Sequence, residues 1–272
     1  MRKAAGATKR YRYSARKSPP YLKTHHTSVK HSFGVIVVNS DAKVLLIQRK
    51  DSFGYLACIE NQRLGHESVA DTLATITIQE RDKILNWDWE KLWEDCHPNT
   101  TRTIDSKFKD QCKARFEWLG IRDTVASMDH RGEEWQHQNS WGLPKGRMAR
   151  VDNETALRCA LREMQEETGL DVHAVRVIHS LGTVSDEYTG TDGKKYCSTY
   201  YIARLINDVS KKEKVDQKEV RQVTWATLEE CKTLNLRPSL CELIDQSLTE
   251  MTRRGSQSPP TKRRTKTRLS NA

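Results

Sequence analysis

Three glutamates place the strongest constraint on this chain. Glu163, Glu166 and Glu167 stand at i, i+3 and i+4 of a segment, residues 154–168, that otherwise reads as a helix. Leu157, Ala160, Leu161 and Met164 recur at helical spacing there, so one face is apolar and must be buried. Asp152 or Asn153 stands where such a helix wants a cap. On that geometry the three carboxylates leave the same side of the helix. Like charges at this spacing repel by about a few tenths of a kcal/mol per pair. They also crowd the negative end of the helix dipole. A fold that keeps such a face needs a cation in front of it, and carboxylate oxygens suit the hard ions Mg2+ and Mn2+.

The chain around that helix alternates between strand-like and helix-like sequence. Residues 32–38 and 43–49 are apolar, β-rich runs separated by Asn39-Ser40-Asp41, which predicts a hairpin with a buried centre. From about residue 68 to residue 119 the apolar spacing turns helical. Thr77-Ile78-Gln79-Glu80 has the form of a capping box. Trp89, Leu92, Trp93 and Cys96 make one helical stripe, and Phe108, Cys112, Phe116 and Leu119 make another, begun at Ser106 and stopped by Gly120. Aromatic stripes of this kind are core, and residues 56–134 are expected to form a helical insertion. Residues 176–181, 195–205 and 220–225 read as strands, the second entered through the turn Gly190-Thr191-Asp192-Gly193. A last helix follows Pro238, with Leu240, Leu243, Ile244, Leu248 and Met251 on one face. The fold class expected is α/β (α+β): residues 31–55 and 135–252 form the body and the helical segment interrupts it.

Charge divides the chain in the same places. Residues 1–30 carry nine Lys/Arg and no acid, and residues 253–272 carry seven and no acid. Removing those 16 from the 46 basic residues leaves 30 against 36 acids, so the tails are cationic and the body is mildly anionic. Such tails either stay solvated and disordered or contact a polyanion such as RNA, with release of its counterions. Lys262-Arg263-Arg264-Thr265-Lys266 has the form of a nuclear-localisation patch. Seven cysteines without a Cys-x-x-Cys pair argue against a disulfide framework or zinc site and for reduced thiols in an intracellular compartment, the cytoplasm first. No apolar run is long enough for a membrane span, and the basic N-terminus lacks the apolar stretch of a secretory signal.

Gly146, Glu154 and Arg162-Glu163-Met164-Gln165-Glu166-Glu167-Thr168-Gly169-Leu170 together resemble the Nudix box, which runs Gly-x5-Glu-x7-Arg-Glu-aliphatic-x-Glu-Glu-x-Gly-aliphatic. The fit holds at every specified position from Glu154 onward. Seven residues, not five, separate Gly146 from Glu154, and keeping the five-residue spacing would put Asp152 in the first acidic position. We take Glu154, because its spacing to Arg162 is kept and a loop absorbs the extra residues.

The resemblance implies a Nudix fold, a mixed sheet sandwiched between helices, and hydrolysis of a nucleoside diphosphate linked to another group. It implies that Glu163, Glu166 and Glu167 hold one to three divalent ions, Mg2+ or Mn2+, with the Gly146 carbonyl, and that Arg162 pairs with Glu154 to orient them. Trp141-Gly142-Leu143-Pro144-Lys145-Gly146 is similar to the lead-in of decapping and dinucleoside-polyphosphate enzymes, with Lys145 as a candidate substrate contact. Glu219-Val220-Arg221-Gln222-Val223-Thr224-Trp225 resembles a segment of decapping enzymes whose acid assists metal binding or acts as general base, which makes Glu219 a candidate fourth acid.

A helical insertion is a feature of the decapping enzymes of large DNA viruses. Ser32-Phe33-Gly34, Gln48-Arg49-Lys50-Asp51-Ser52-Phe53, Ile76-Thr77-Ile78-Gln79-Glu80-Arg81 and the stretch 87–93 are similar to theirs. The likeness spans residues 30–250. In that family the helical part and the body form an RNA-binding surface, and some members act on diphosphoinositol polyphosphates. Capped RNA is therefore the expected substrate, with diphosphoinositol or dinucleoside polyphosphates as the alternative. A non-catalytic RNA-binding Nudix protein is the third reading. Trp141, Tyr188 and Tyr196 are aromatic candidates for stacking on a base, with core or hairpin packing as the plainer role.

Overall fold

The computed structural model describes residues 29–60, 64–98, 106–128, 140–149, 153–190, 194–206, 219–234 and 236–255. Strands β1 (Lys30–Val38) and β2 (Val44–Arg49) follow one another through Asn39, whose side chain accepts from the N–H groups of Asp41 and Lys43. They do not form the expected hairpin along their length, because they are paired only at its tip, Val38 against Val44. Beyond the tip they diverge. The gap holds two short strands, β3 (Trp141–Gly142) beside β2 and β4 (Lys145–Gly146) beside β1. Gly34 makes this possible: a Cβ there would lie 2.7 Å from the Lys145 Cβ and would strike the Pro144 carbonyl. The segment expected to lead into the glutamate helix is thus wedged inside the sheet.

The remaining strands complete a mixed sheet. β7 (Lys195–Leu205) runs parallel to β1 through nine paired residues, from Lys30↔Tyr196 to Val38↔Arg204. Its other edge carries β5 (Val175–Val177) and β6 (Thr183–Thr189), both antiparallel. β8 (Val220–Ala226) runs antiparallel to β2, with a bulge between Gln48 and Arg49. The run 176–181 is not one strand. Pairing stops at Val177, a 3-10 turn takes His179–Leu181, and Gly182 follows at φ 67. β6 was not expected, since its buried position, Asp186, is polar and breaks the apolar alternation.

Two layers of helix cover this sheet. On one face α7 (Ala156–Thr168) packs Ala160 and Met164 against Val35, Val37, Leu45 and Ala203. Burying a side chain the size of Met164 contributes about 2 kcal/mol. On the other face α8 (Leu228–Thr233) and α9 (Pro238–Gly255) pack Cys231, Leu240, Leu243, Ile244 and Met251 against Ile36, Val38, Leu46, Tyr200 and Ile202. α9 runs through Arg253 and Arg254, into residues expected to belong to a tail.

Between β2 and β3 lie α1 (Phe53–Glu60), α2 (Val69–Leu73), α3 (Ile78–Asn86), α4 (Trp89–Cys96), α5 (Ser106–Trp118) and α6 (Ile121–Ser127). Helix begins at Phe53, three residues earlier than expected. These helices enclose a core of their own that includes Tyr55, Ile59, Ile84, Leu92, Phe116 and Val125. Thr77 and Glu80 form the expected reciprocal cap of α3, and Glu80 also accepts the Ser52 N–H at 2.6 Å. Among the described residues no helix is long and apolar enough to cross a membrane.

Candidate active site

α7 is not capped by Asn153. Thr155 takes that role, its hydroxyl accepting the Arg158 N–H, while Asn153 sits in a left-handed turn at φ 49 and Asp152 lies outside the described residues. The helix starts at Ala156 and ends on Gly169, whose N–H closes onto the Gln165 carbonyl at 2.8 Å. Cys159, Ala160 and Met164 are buried, whereas Leu157 and Leu161 are half-buried.

The sheet wedge and this helix meet at the glutamates. Gly146, opposite Phe33 on β1, lies so close to the Glu163 carboxylate that a Cβ at position 146 would overlap it. One residue earlier, the Lys145 N–H donates to Glu167 Oε2 at 2.8 Å. Arg162 gathers the rest. Its Nε and Nη2 grip both oxygens of Glu154 at 2.8 and 3.1 Å, while Nη1 reaches Glu163 at 2.7 Å and Glu166 at 2.9 Å. Nη2 also donates to the Arg147 carbonyl, and the Ala149 N–H donates to Glu154. Glu154 therefore ties the loop after Gly146 to α7.

Residues 126–246 match the model of the NUDIX domain. That stretch is a NUDIX domain, and it takes in Gly146, Glu154, Arg162 and the three glutamates. The chain is 32% identical over 102 residues to a protein of Acanthamoeba polyphaga mimivirus provisionally named an mRNA-decapping protein, a match that covers 37% of this chain and 28% of that protein. This chain thus spans little more than a quarter of that relative. Against an mRNA-decapping protein of African swine fever virus it is 21% identical over 229 residues, covering 78% of this chain and 91% of the relative. Among solved structures, the Ap4A hydrolase of C. elegans aligns with a TM-score of 0.42 and 13% identity over 85% of this chain and 100% of that one, a likeness too low to bear on the assignment.

Electrostatics within the Nudix site follow from burial and crowding. Glu154 is held down to about 2 by its bonds from Arg162 and the Ala149 N–H. Glu163 is raised, by burial first and then by Glu166 and Glu219, against the pull of Arg162. Glu167, 6% exposed, is pushed up to about 8 by burial, with Glu163 and Glu219 adding to the push and Lys145 opposing it. Lys145 is lowered by its own burial and by Arg49. Glu219 lies in the turn before β8, exposed, yet near enough to be felt by both Glu163 and Glu167.

The donor chemistry of this corner fits a hard divalent cation. Its oxygens belong to carboxylates and a carbonyl, one carboxylate is buried at a cost in free energy, and glycine alone leaves room for Glu163 beside it. Among the described residues no three acidic, His or Cys side chains already converge on one point, and Arg162 takes an oxygen from each of Glu163 and Glu166.

The aromatic candidates are placed in packing contacts. Trp141 belongs to the core under α9. Tyr188 and Tyr196 stack at 5.2 Å across the β6–β7 pair. An ion pair that the sequence did not suggest lies beside them: buried Asp186 accepts from half-buried Arg237 and from the Ser239 hydroxyl, and the Arg237 guanidinium lies 3.6 Å over the Tyr188 ring. It fixes the start of α9 to β6. Cys159, also unexpected, sits beneath Arg162 with its thiol 3.7 Å from the Gly146 carbonyl.

Proposed function

We propose that this Nudix protein is a divalent-metal-dependent mRNA-decapping hydrolase, cleaving the 5′ cap to release a nucleoside diphosphate and 5′-monophosphate RNA. The observation that carries the chemistry is the meeting of Gly146, Glu163 and buried Glu167 at the sheet wedge. Glu163, Glu166 and Glu167, with the Gly146 carbonyl, would hold Mg2+ or Mn2+. Such an ion, when bound, neutralises charge developing on the phosphoric anhydride and lowers the pKa of attacking water. Arg162, itself pinned by Glu154, keeps the glutamates in register on the helix face. Glu219 is assigned the fourth acidic position, to accept the proton of the attacking water or assist the ion. Lys145 is assigned to the substrate phosphates.

The choice of capped RNA rests on the African swine fever virus relative, named for mRNA decapping. Its 229 aligned residues cannot fit within the Nudix match at 126–246 and must run through the helical part as well. The cationic tails at 1–28 and 256–272 are assigned to RNA recruitment, since Lys/Arg clusters bind phosphate backbones with strong salt dependence.

Cap-labelled RNA incubated with Mg2+ or Mn2+ tests the reading. Labelled nucleoside diphosphate is expected, and its absence at every enzyme concentration sinks the proposal. Free cap analogue or a diphosphoinositol polyphosphate turned over as efficiently as long capped RNA would favour a small-substrate enzyme instead. RNA binding with no turnover of any of these would leave a non-catalytic binder. Removing both tails should weaken RNA binding and flatten its salt dependence while sparing the free cap analogue.

A further inference from the structure

A cleft of about 270 Å3 separates the Nudix body from the helical part. Arg49, Asp51 and Glu219 line one wall; Leu56, Glu60 and His97 are among the residues of the other. Glu219 is thus at once a neighbour of the metal-binding glutamates and a wall of an interdomain cleft.

One residue touches both walls. The backbone N–H of Lys50 donates to the Glu219 carbonyl at 2.9 Å, just past the β2–β8 bulge. The side chain of the same residue extends to the last turn of α4, where its ammonium donates to the Asp95 carbonyl at 2.7 Å and lies 3.5 Å from the Asp95 carboxylate. Asp95 is itself anchored inside the helical part, by Lys83 at 2.6 Å and the Tyr55 hydroxyl at 3.3 Å. The chain of contacts runs unbroken from the core of the helical part, through Asp95 and Lys50, to the turn that presents Glu219. Charge-assisted bonds of this kind are short, directional and stronger than neutral ones.

We propose that Lys50 and Asp95 form a strap through which the helical part positions Glu219 against the Nudix helix, so that the helical part acts on the chemistry as well as on substrate binding. The proposal rests on the reading of Glu219 as fourth acid. Both are positioning residues: neither reaches the reacting atoms, and their effect passes through one carboxylate. A merely structural ion pair would act on stability, or on substrate affinity, regardless of what stands at position 219.

The test is a double-mutant cycle on the full chain with capped RNA, following kcat, KM and melting temperature. Lys50→Met keeps the backbone N–H and the stem while removing the ammonium. It should lower kcat about tenfold with KM changed less than twofold, the scale on which outer partners of metal sites act. In a Glu219→Gln background the same change should cost less than about twofold, since the path it acts through is gone. Lys50→Arg should recover most of the loss. Asp95→Asn, nearly isosteric, should repeat the pattern more weakly and serves if Lys50→Met fails to fold. Equal fractional losses in both backgrounds, or a loss confined to KM, overturn the strap while leaving Glu219 its role. A Glu219→Gln chain as active as the parent overturns the fourth-acid reading, and the strap with it.

Discussion

Two charge clusters lie near Glu219, and they are built on opposite accounts. In the joint between body and helical part, Asp51 and Asp95 face Lys50 and Lys83, and each lysine comes within 4 Å of each aspartate. Two anions meet two cations and the set is closed. Around α7, Glu154, Glu163 and Glu166 share the single guanidinium of Arg162, while buried Glu167 has one backbone N–H and a lysine disfavoured as a cation by its own burial. That set is open. A balanced cluster neutralises its own charge and serves as a fastening; an unbalanced one keeps a standing demand for positive charge from outside the chain. The two sets differ in charge balance and not in burial, since Asp51 and Glu167 are almost equally buried.

Replacing Glu167 gives the largest effect and the most direct way to break the comparison. Its carboxyl sits at about 8 instead of 4.5, so the folded chain without metal prefers it protonated. Glu167→Gln resembles that protonated form. Activity on capped RNA with Mg2+ should fall by about 100-fold or more, beyond the loss typical of outer partners of metal sites. In EDTA the variant should melt no lower than the parent at pH 8. The sign follows from linkage: a carboxyl raised on folding makes stability fall as pH climbs from about 4.5 to 8, and the variant lacks that slope. Retained activity would remove Glu167 from the metal site, and a large drop in melting temperature would make it a fastening after all.

Gly146→Ala comes next, because it leaves every charge in place and changes only the room available. The new methyl would overlap the Glu163 carboxylate and push it from its position beside Gly146. Mn2+ affinity, read by electron paramagnetic resonance titration, should fall about tenfold with circular dichroism unchanged. An unchanged affinity would show that Glu163 and Gly146 do not hold the same ion.

The open cluster was legible in the sequence and the closed one was not, for a physical reason. Glu163, Glu166 and Glu167 share a face because of helical periodicity alone, and Arg162 adjoins Glu163 with Glu154 just before the helix. The joint unites Lys50 and Asp51 with Lys83 and Asp95, residues brought together by the packing of α1, α3 and α4 on the end of β2, which no local spacing encodes. The same limit explains the misread hairpin. Residues 32–38 and 43–49 are strands, as their composition demands, but the partners they take are β7, β8 and the wedge at 141–146. The cap at Thr155 was missed because Asp152 and Asn153 are stronger cap formers by type, and the left-handed turn at Asn153 decides the matter instead.

Asp51→Asn should have the smallest effect and sharpens what closure means. Burial raises the Asp51 carboxyl to about 6 even though Lys50 and Lys83 pull it down, so the two lysines do not fully offset its desolvation. Its folded value lies above the unfolded 3.8, so the folded chain binds the extra proton between the two. This group's contribution to stability must fall as pH rises from about 4 to 6, then level off. At pH 7 the amide, free of that cost but deprived of two ion pairs, should leave stability no more than about 1 kcal/mol below the parent, because exchanging a buried ionic partner for a neutral one of like shape is neutral or stabilising when no charge is stranded. Lys50 and Lys83 are not stranded, since both retain Asp95. Urea denaturation at pH 4, 5, 6 and 7 reads the difference: the variant should stay close to the parent near pH 4 and gain on it as the pH rises to 7. A loss well above 1 kcal/mol at pH 7 would show that Asp51 is indispensable to the fastening, and that a closed set can still depend on one of its members.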